Sequence, residues 1–121
     1  MNHVLVSDIM TRQITSVSPD TNLLECARKM VKKKIGSLLI VENKLLKGII
    51  TPHDILWAIV KKSKEDLSKI KASDITPRKI IAIKPEASLD EAVKKIKKFK
   101  FHRLPVVKNG EILGLITLRD I

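Results

Sequence analysis

The stretch "GIITPHDI" at residues 48–55 occurs a second time, almost unchanged, as "GLITLRDI" at residues 114–121. Around these two phrases, residues 7–55 align without a gap with residues 73–121, and identical residues recur along the whole alignment. The matches include prolines, glycines and acidic residues, which chance rarely brings together in so short a chain. The protein therefore consists of two copies of one unit.

Each copy predicts the element order β-α-β-β-α. Short β-branched runs at residues 14–17 and 80–83 each end before a proline. A small polar residue, Asn22 or Ser88, is then followed three positions later by Glu, which is a capping-box pattern for a helix start. Two apolar runs separated by a short polar turn follow, which predicts a β-hairpin leading into a second helix.

We expect a mixed α/β (α+β) fold in which two such repeats, residues 1–66 and 67–121, pack about a pseudo-twofold axis because each is marginal alone. The charged segment 61–72 is expected to be a frayed helix end followed by a linker. The last helix of the second repeat is expected to be truncated, because the sequence ends at Ile121.

Composition restricts the class of function. The formal net charge of +11 is compatible with an anionic ligand, an acidic partner or nucleic acid. Aromatic residues make up only 2% of the chain, which removes the platforms on which bases stack, so a basic nucleic-acid-binding or scaffolding module is kept as the alternative function. The lysines of the first helices are interpreted as a solvated face.

The sequence does not indicate an enzyme, a metal site or a membrane protein. It contains no phosphate-binding glycine loop and no nucleophile–His arrangement, and its histidines are too dispersed for a metal site. Met10, Cys26, Met30 and Trp57 are interpreted as packing residues. One cysteine, no signal peptide and no apolar run approaching about 18 residues predict a cytoplasmic protein without membrane contact.

Three motifs, taken together, resemble a tandem pair of cystathionine-β-synthase (CBS) domains, also called a Bateman module. They are "VSDIMT" at residues 6–11, "HRLPVV" at residues 102–107, and Gly-apolar-apolar-Thr-x-x-Asp in both copies. The resemblance covers essentially the whole chain. It implies a non-catalytic regulatory module that binds adenosine-containing ligands such as AMP, ADP, ATP or S-adenosylmethionine in clefts between the repeats. It also implies no required cofactor, a homodimer formed through helices that include Trp57, and an effector protein that the sequence does not name.

The repeated phrase has two compatible interpretations. Thr51 and Asp54 suit a helix cap, with Pro52 at the first helical position, and Thr117 and Asp120 follow the same scheme. The resemblance adds a ligand, since the equivalent Thr and Asp contact the nucleoside in the family. The Asp would then turn outward to accept the ribose hydroxyls while the Thr caps the helix.

The resemblance also implies two unequal sites. In the family a His-Arg pair approaches the nucleotide phosphate, and this chain has such a pair only in the second copy, where the first copy has Gly-Ser and where Leu39 replaces Pro105. The first site would combine Thr51, His53 and Asp54 with Ile81, His102 and Arg103, and Pro105 is also expected to bind ligand. The second site would combine Thr117, Arg119 and Asp120 with Thr15, Gly36 and Ser37. We expect the first site to bind phosphate better.

Overall fold

The computed structural model describes residues 4–62, 66–75, 80–99 and 103–117. The chain forms two compact units. Residues 15–80 form one, which we call the central unit, and residues 1–14 together with 81–121 form the other, which we call the split unit. Both units combine helices with β-strands, so the predicted mixed fold class is confirmed.

The central unit contains the complete element order predicted for one repeat. In chain order its elements are β1 (Ser16–Val17), α2 (Leu23–Lys33), β2 (Leu38–Glu42), β3 (Leu45–Ile50), α3 (Pro52–Lys61), a 3₁₀ turn (Leu67–Lys69) and α4 (Ala72–Ile75). Strand β1 runs parallel to β2, and β2 runs antiparallel to β3. A helical crossover therefore joins the two parallel strands, as parallel pairing requires.

The split unit repeats this plan with a shorter first strand. Its elements are α1 (Val6–Ile9), α5 (Leu89–Phe99), β4 (Arg103–Lys108) and β5 (Glu111–Thr117). Strands β4 and β5 are antiparallel, and the strand predicted at residues 80–83 is reduced to one isolated parallel bridge between Ile83 and Val106. The expected truncated helix, at residues 118–121, lies outside the described residues.

Both first helices begin at the predicted caps. The Asn22 side chain accepts a hydrogen bond from the backbone N–H of Glu25 (2.9 Å), and the Ser88 hydroxyl accepts one from the N–H of Glu91 (3.2 Å). The capping box is not reciprocal in α2, however, because the Glu25 carboxylate pairs with the Arg28 guanidinium (2.7 Å). The predicted positions of these helix starts are therefore correct, but the capping bond expected from the Glu25 side chain is not made.

Both hairpins turn through two residues with positive φ. These are Asn43 (52°) and Lys44 (67°) after β2, and Asn109 (52°) and Gly110 (84°) after β4. Two successive positive φ values are typical of the type I′ turn, whose twist matches that of the flanking strands. Both hairpins also shift register at matching positions, which makes them duplicates in detail as well as in order.

Each unit has its own apolar core. Cys26 and Met30 lie in the core of the central unit and Met10 in that of the split unit, which confirms the prediction that they are packing residues. Trp57 does not belong to this core, since 46% of its surface is exposed, and its place in an interface between two copies stays a prediction. The reason is helical geometry: Ile55 and Ala58 occupy the inner face of α3, and Trp57 lies off that face.

The N-terminal segment of the first repeat, which precedes its first strand, packs inside the split unit. We call residues 4–11 the first lead-in. The backbone N–H of Val6 donates to the carbonyl of Ala87, and that of Ser7 donates to the carbonyl of Pro85, both at 2.9 Å. The side chain of Val6 is fully buried. The lead-in of the first repeat is therefore part of the folded second repeat.

The corresponding segment of the second repeat, residues 70–75, packs inside the central unit in the same way. We call it the second lead-in. The N–H of Ala72 donates to the carbonyl of Thr21 (2.8 Å), and that of Ser73 donates to the carbonyl of Pro19 (3.1 Å). These are the aligned counterparts of the bonds made by the first lead-in. The two repeats have thus exchanged their lead-ins.

The expectation that residues 61–72 form a frayed end and a linker is wrong for the later part of this segment. Ile70 is 1% exposed and belongs to the core of the central unit, and its carbonyl accepts a bond from the N–H of Leu23 (2.8 Å). Leu67 packs against the same core. Two apolar residues three positions apart hold this charged stretch in place, because burying them is favourable whatever the charge of their neighbours.

The glycine of the second repeated phrase is required by a lead-in. A Cβ added to Gly114 would lie 2.6 Å from the backbone oxygen of Thr11, closer than real Cβ atoms come. Thr11 and Leu115 exchange two backbone hydrogen bonds at this point (2.8 and 2.9 Å). Gly114 therefore permits the close approach of the first lead-in to β5.

The exchange predicts which fragment folds. A fragment of residues 15–80 contains the whole core of the central unit, including Ile70, and we expect it to show helical circular dichroism and a cooperative thermal transition. A fragment of residues 1–66 lacks Ile70 and the second lead-in, so we expect it to be largely unfolded. Equal or greater stability of fragment 1–66 would contradict the exchange.

Candidate functional site

The predicted site residues of the central unit lie at one end of its sheet. Thr15 immediately precedes β1, Ser37 immediately precedes β2, and Thr51 immediately follows β3. Strands β1 and β2 are parallel, and the first residue of β2 pairs with the last residue of β3. These three positions therefore lie at the same end of the strands. Gly36 lies beside Ser37. Helix α3 begins at the same end of the strands, and its first turn contains His53 and Asp54.

Thr51 and Asp54 form a reciprocal capping box at the N-terminus of α3. The Thr51 hydroxyl accepts a bond from the N–H of Asp54 (3.4 Å), and Oδ2 of Asp54 accepts bonds from the N–H (2.8 Å) and the hydroxyl (3.1 Å) of Thr51. The two bonds to the carboxylate both use Oδ2. The sequence interpretation had the Asp54 side chain turning outward while Thr51 capped the helix. In the structure Oδ2 of Asp54 belongs to the cap, and Oδ1 takes no part in these bonds.

The described site residues of the split unit lie at the corresponding end of its strands. Arg103 begins β4 and pairs with Thr117 at the end of β5, and Ile81 precedes the bridge at Ile83. Ile81, Arg103 and Thr117 are half-buried. Pro105 is buried within β4, and its carbonyl accepts a bond from the N–H of Ile83 (2.9 Å). The other predicted residues, His102, Arg119 and Asp120, lie outside the described residues.

Two features of the central unit bear on ligand access. Gly36 is exposed, and no heavy atom lies within 4 Å of a Cβ built on it, so packing does not require glycine there. His53 is also exposed, on the first turn of α3. Both positions can be substituted to probe a ligand without disturbing the core.

Other chemistry finds little support in the described part of the chain. Burial raises the pKa of the Cys26 thiol to about 11, so this cysteine is not a nucleophile at neutral pH. Among residues 4–62, 66–75, 80–99 and 103–117, no group of His, Cys, Asp and Glu side chains could hold a metal ion. No helix within those ranges has both the length and the apolar character needed to cross a membrane.

Two lysines have a role that the sequence interpretation missed. The ammonium group of Lys29 donates to the backbone carbonyl of Ser16 (3.0 Å), and that of Lys95 donates to the carbonyl of Ala82 (2.6 Å). The two lysines occupy aligned positions of the repeats, as do the two acceptors. The sequence did contain a signal for this role, since a lysine occurs at the same position of both copies. The other lysines of the same helices made it hard to recognise.

A pocket of about 550 Å³ opens beside Lys95 in the split unit. Its lining combines four apolar residues with two lysines and two glutamates, so the formal charges of the lining balance. Its lining residues are Ala82, Ile83, Lys84, Glu86, Ala87, Glu91, Lys95 and Val107. None of the predicted site residues is among them.

Comparison with known proteins identifies the family. The sequence profile described as "CBS domain" matches the chain twice, at residues 6–61 and 72–121. The CBS domain-containing protein YhcV of Bacillus subtilis is 28% identical over 116 residues, which is 96% of this chain and 81% of YhcV. Other curated relatives are longer than the match, and the chain spans 62% of one and 21% of another.

Solved structures show the same fold. The AcuB protein of Vibrio cholerae has a TM-score of 0.87 at 28% identity, covering 97% of this chain and 86% of that one. The CBS domain pair of protein MJ0100, solved in complex with 5′-methylthioadenosine and S-adenosyl-L-methionine, has a TM-score of 0.81 at 26% identity, covering 98% of this chain and 93% of that one. With both of its repeats matched, the chain belongs to the CBS domain family and is a CBS domain pair.

Proposed function

We propose that this CBS domain pair is a non-catalytic regulatory module that binds an adenosine-containing ligand and signals its presence to a partner protein. Binding would favour one of two arrangements of the chain, and the partner would respond to that shift. Support comes from the MJ0100 pair, which shares the fold and binds two adenosine derivatives.

The observation that carries the proposal is the capped N-terminus of α3. In its first turn Pro52 has no N–H, and the N–H groups of Asp54 and Ile55 bond to Thr51, so the polar group that this turn offers to a ligand is the Asp54 carboxylate. Asp54 offers Oδ1 to a ribose hydroxyl while Oδ2 remains in the cap. Thr51 fixes the carboxylate through two of its own donors, so the acceptor is oriented before any ligand arrives.

The two sites proposed from the sequence differ in charge. The site that includes Asp54 also takes Arg103, whereas the site that includes Thr15 takes the uncharged Ser37 at the aligned position. A guanidinium favours phosphate, because its donors form charge-assisted bonds with phosphate oxygens. We therefore assign AMP-like or ATP-like ligands to the first site and phosphate-free adenosine derivatives, as in MJ0100, to the second.

The exposed apolar face of α3 supports the proposed homodimer. This face consists of Leu56, Trp57, Ile59 and Val60, which are between 46% and 72% exposed. Four neighbouring apolar side chains on a helix of a soluble fold are typical of an association surface. We assign a second copy of this chain as the occupant.

No specific observation on the described residues favours the alternative function, nucleic-acid binding. Lysines are distributed over both α2 and α5, and the two half-buried ones donate to backbone carbonyls. This arrangement favours the solvated face that the sequence predicts.

Adenosine binding depends on Asp54. Isothermal titration with AMP, ATP, S-adenosylmethionine and 5′-methylthioadenosine should show binding of at least one compound, and Asp54→Ala should weaken it roughly ten- to a hundredfold through loss of a charged acceptor. Asp74→Ala is the matched control, because the Asp74 carboxylate also accepts a backbone bond three residues back, from Lys71 (3.0 Å), and carries no proposed ligand. If none of the four compounds binds the wild-type protein, the proposed function is wrong.

Arg103 should discriminate by phosphate. Arg103→Ala is expected to weaken AMP binding about tenfold while adenosine binding changes less than about twofold, since only AMP carries the group that the guanidinium contacts. Ser37→Ala, at the aligned position of the other repeat, should leave the ratio of the two dissociation constants unchanged. An equal loss for AMP and adenosine in Arg103→Ala would refute this role.

The homodimer can be tested by light scattering coupled to size exclusion. The double variant Trp57→Ala, Val60→Glu should elute with the mass of one chain, because it places a charge in the proposed apolar interface. Val31→Glu is the control, since it adds the same charge at an apolar residue of another helix, where Val31 is 78% exposed on α2. A wild-type protein that is monomeric at its highest soluble concentration would rule the dimer out.

A further inference from the structure

We infer that Lys29 and Lys95 are positioning residues, each of which holds the outer edge of a strand segment that presents a proposed ligand-binding residue. Lys29 holds the segment that carries Thr15, and Lys95 holds the segment that carries Ile81. This inference rests on the proposed function and adds to it the groups that keep the binding strands in place.

In the central unit, β1 is bound on its two sides by different partners. On the inner side, the carbonyl of Thr15 accepts a bond from the N–H of Leu39 in β2 (3.3 Å). Successive carbonyls of a strand point in opposite directions, so that of Ser16 points away from β2. There it accepts the bond from the Lys29 ammonium (3.0 Å). The lysine therefore occupies a position that a further strand would otherwise fill.

The split unit repeats this arrangement at the isolated bridge between Ile83 and Val106. The N–H of Ile83 donates to Pro105, and the carbonyl of Ile83 accepts from Val107, both at 2.9 Å. The carbonyl of Ala82 lies on the other side and accepts the bond from Lys95 (2.6 Å). Because this segment is only an isolated bridge, Lys95 supplies a larger share of what holds it than Lys29 does for β1.

The chemistry of the bond suits this role. An ammonium donor makes a charge-assisted bond that is stronger than a neutral one, and both lysines are half-buried, which reduces competition from water. The aliphatic stem of each lysine crosses from helix to strand, so the bond ties α2 to β1 and α5 to the segment at Ala82. The neighbouring Lys94 is exposed on α5 and differs from Lys95 in this respect.

Removing the donor while keeping the stem tests the inference. In Lys95→Met, amide hydrogen exchange at Ile83 and Val107, measured by NMR, should be about tenfold faster than in the wild type. Lys95→Arg retains a cationic donor and should exchange nearly as the wild type does. Lys94→Met removes the same charge from the adjacent exposed position and should have no effect.

The same variants should change ligand binding through Ile81. For the tightest binder among AMP, ATP, S-adenosylmethionine and 5′-methylthioadenosine, Lys95→Met should raise the dissociation constant about tenfold, with Lys95→Arg restoring most of the affinity. The effects of Lys95→Met and Ile81→Ala should be non-additive, because both act on one segment, whereas Lys95→Met and Thr15→Ala should add. A purely structural lysine would show neither the rescue of affinity nor this pattern of coupling.

Failure of the inference is distinguishable from failure of the proposed function. Unchanged exchange at Ile83 and Val107 in Lys95→Met overturns the inference whether or not any compound binds. Faster exchange with an unchanged dissociation constant also overturns it, since the segment would then be held for another reason. Absence of binding to the wild-type protein refutes the proposed function itself, and with it the ligand-related part of the inference.

Discussion

The exchange of lead-ins between the two repeats is the constraint on which the rest of the structure depends. The bonds from Val6 and Ser7 to the turn before α5, and from Ala72 and Ser73 to the turn before α2, are the same bonds made twice. Each fixes the turn that precedes a first helix and delivers an apolar side chain to a core. A repeat cut at its sequence boundaries loses that contribution to its core.

The ends of the sheets bring the candidate binding residues together because of strand direction. The parallel strands β1 and β2 begin where the antiparallel strand β3 ends. Thr15, Ser37 and Thr51 therefore lie at one end of the strands although they are far apart in the chain. The capping box then gives Asp54 a defined orientation with one oxygen already bonded. Lys29 bonds to β1 on the side away from β2, and Lys95 bonds to the aligned segment of the split unit. The candidate binding residues and the lysines proposed to position them thus lie on the same few elements of each unit.

Much of the fold was predictable because its signals are local. The caps at Asn22, Ser88 and Thr51 and the two-residue turns depend on hydrogen bonds and φ values that span only three or four residues. The sequence left open whether Trp57 packs in the core or in an interface, because an apolar side chain does not by itself show which side of its helix faces the core. The linker prediction was wrong because charge dominated a segment whose structure depends on Ile70.

The sequence by itself determined the duplication, the order of elements, the helix caps and the family resemblance, because each is a property of residue identity and spacing. Only the tertiary structure decided which repeat each lead-in joins, why Gly114 must lack a side chain, and which two of many lysines bond to a strand. These outcomes depend on which surfaces meet across long separations in the chain. An apolar or basic pattern states that a side chain needs a partner, and the packed fold supplies the partner.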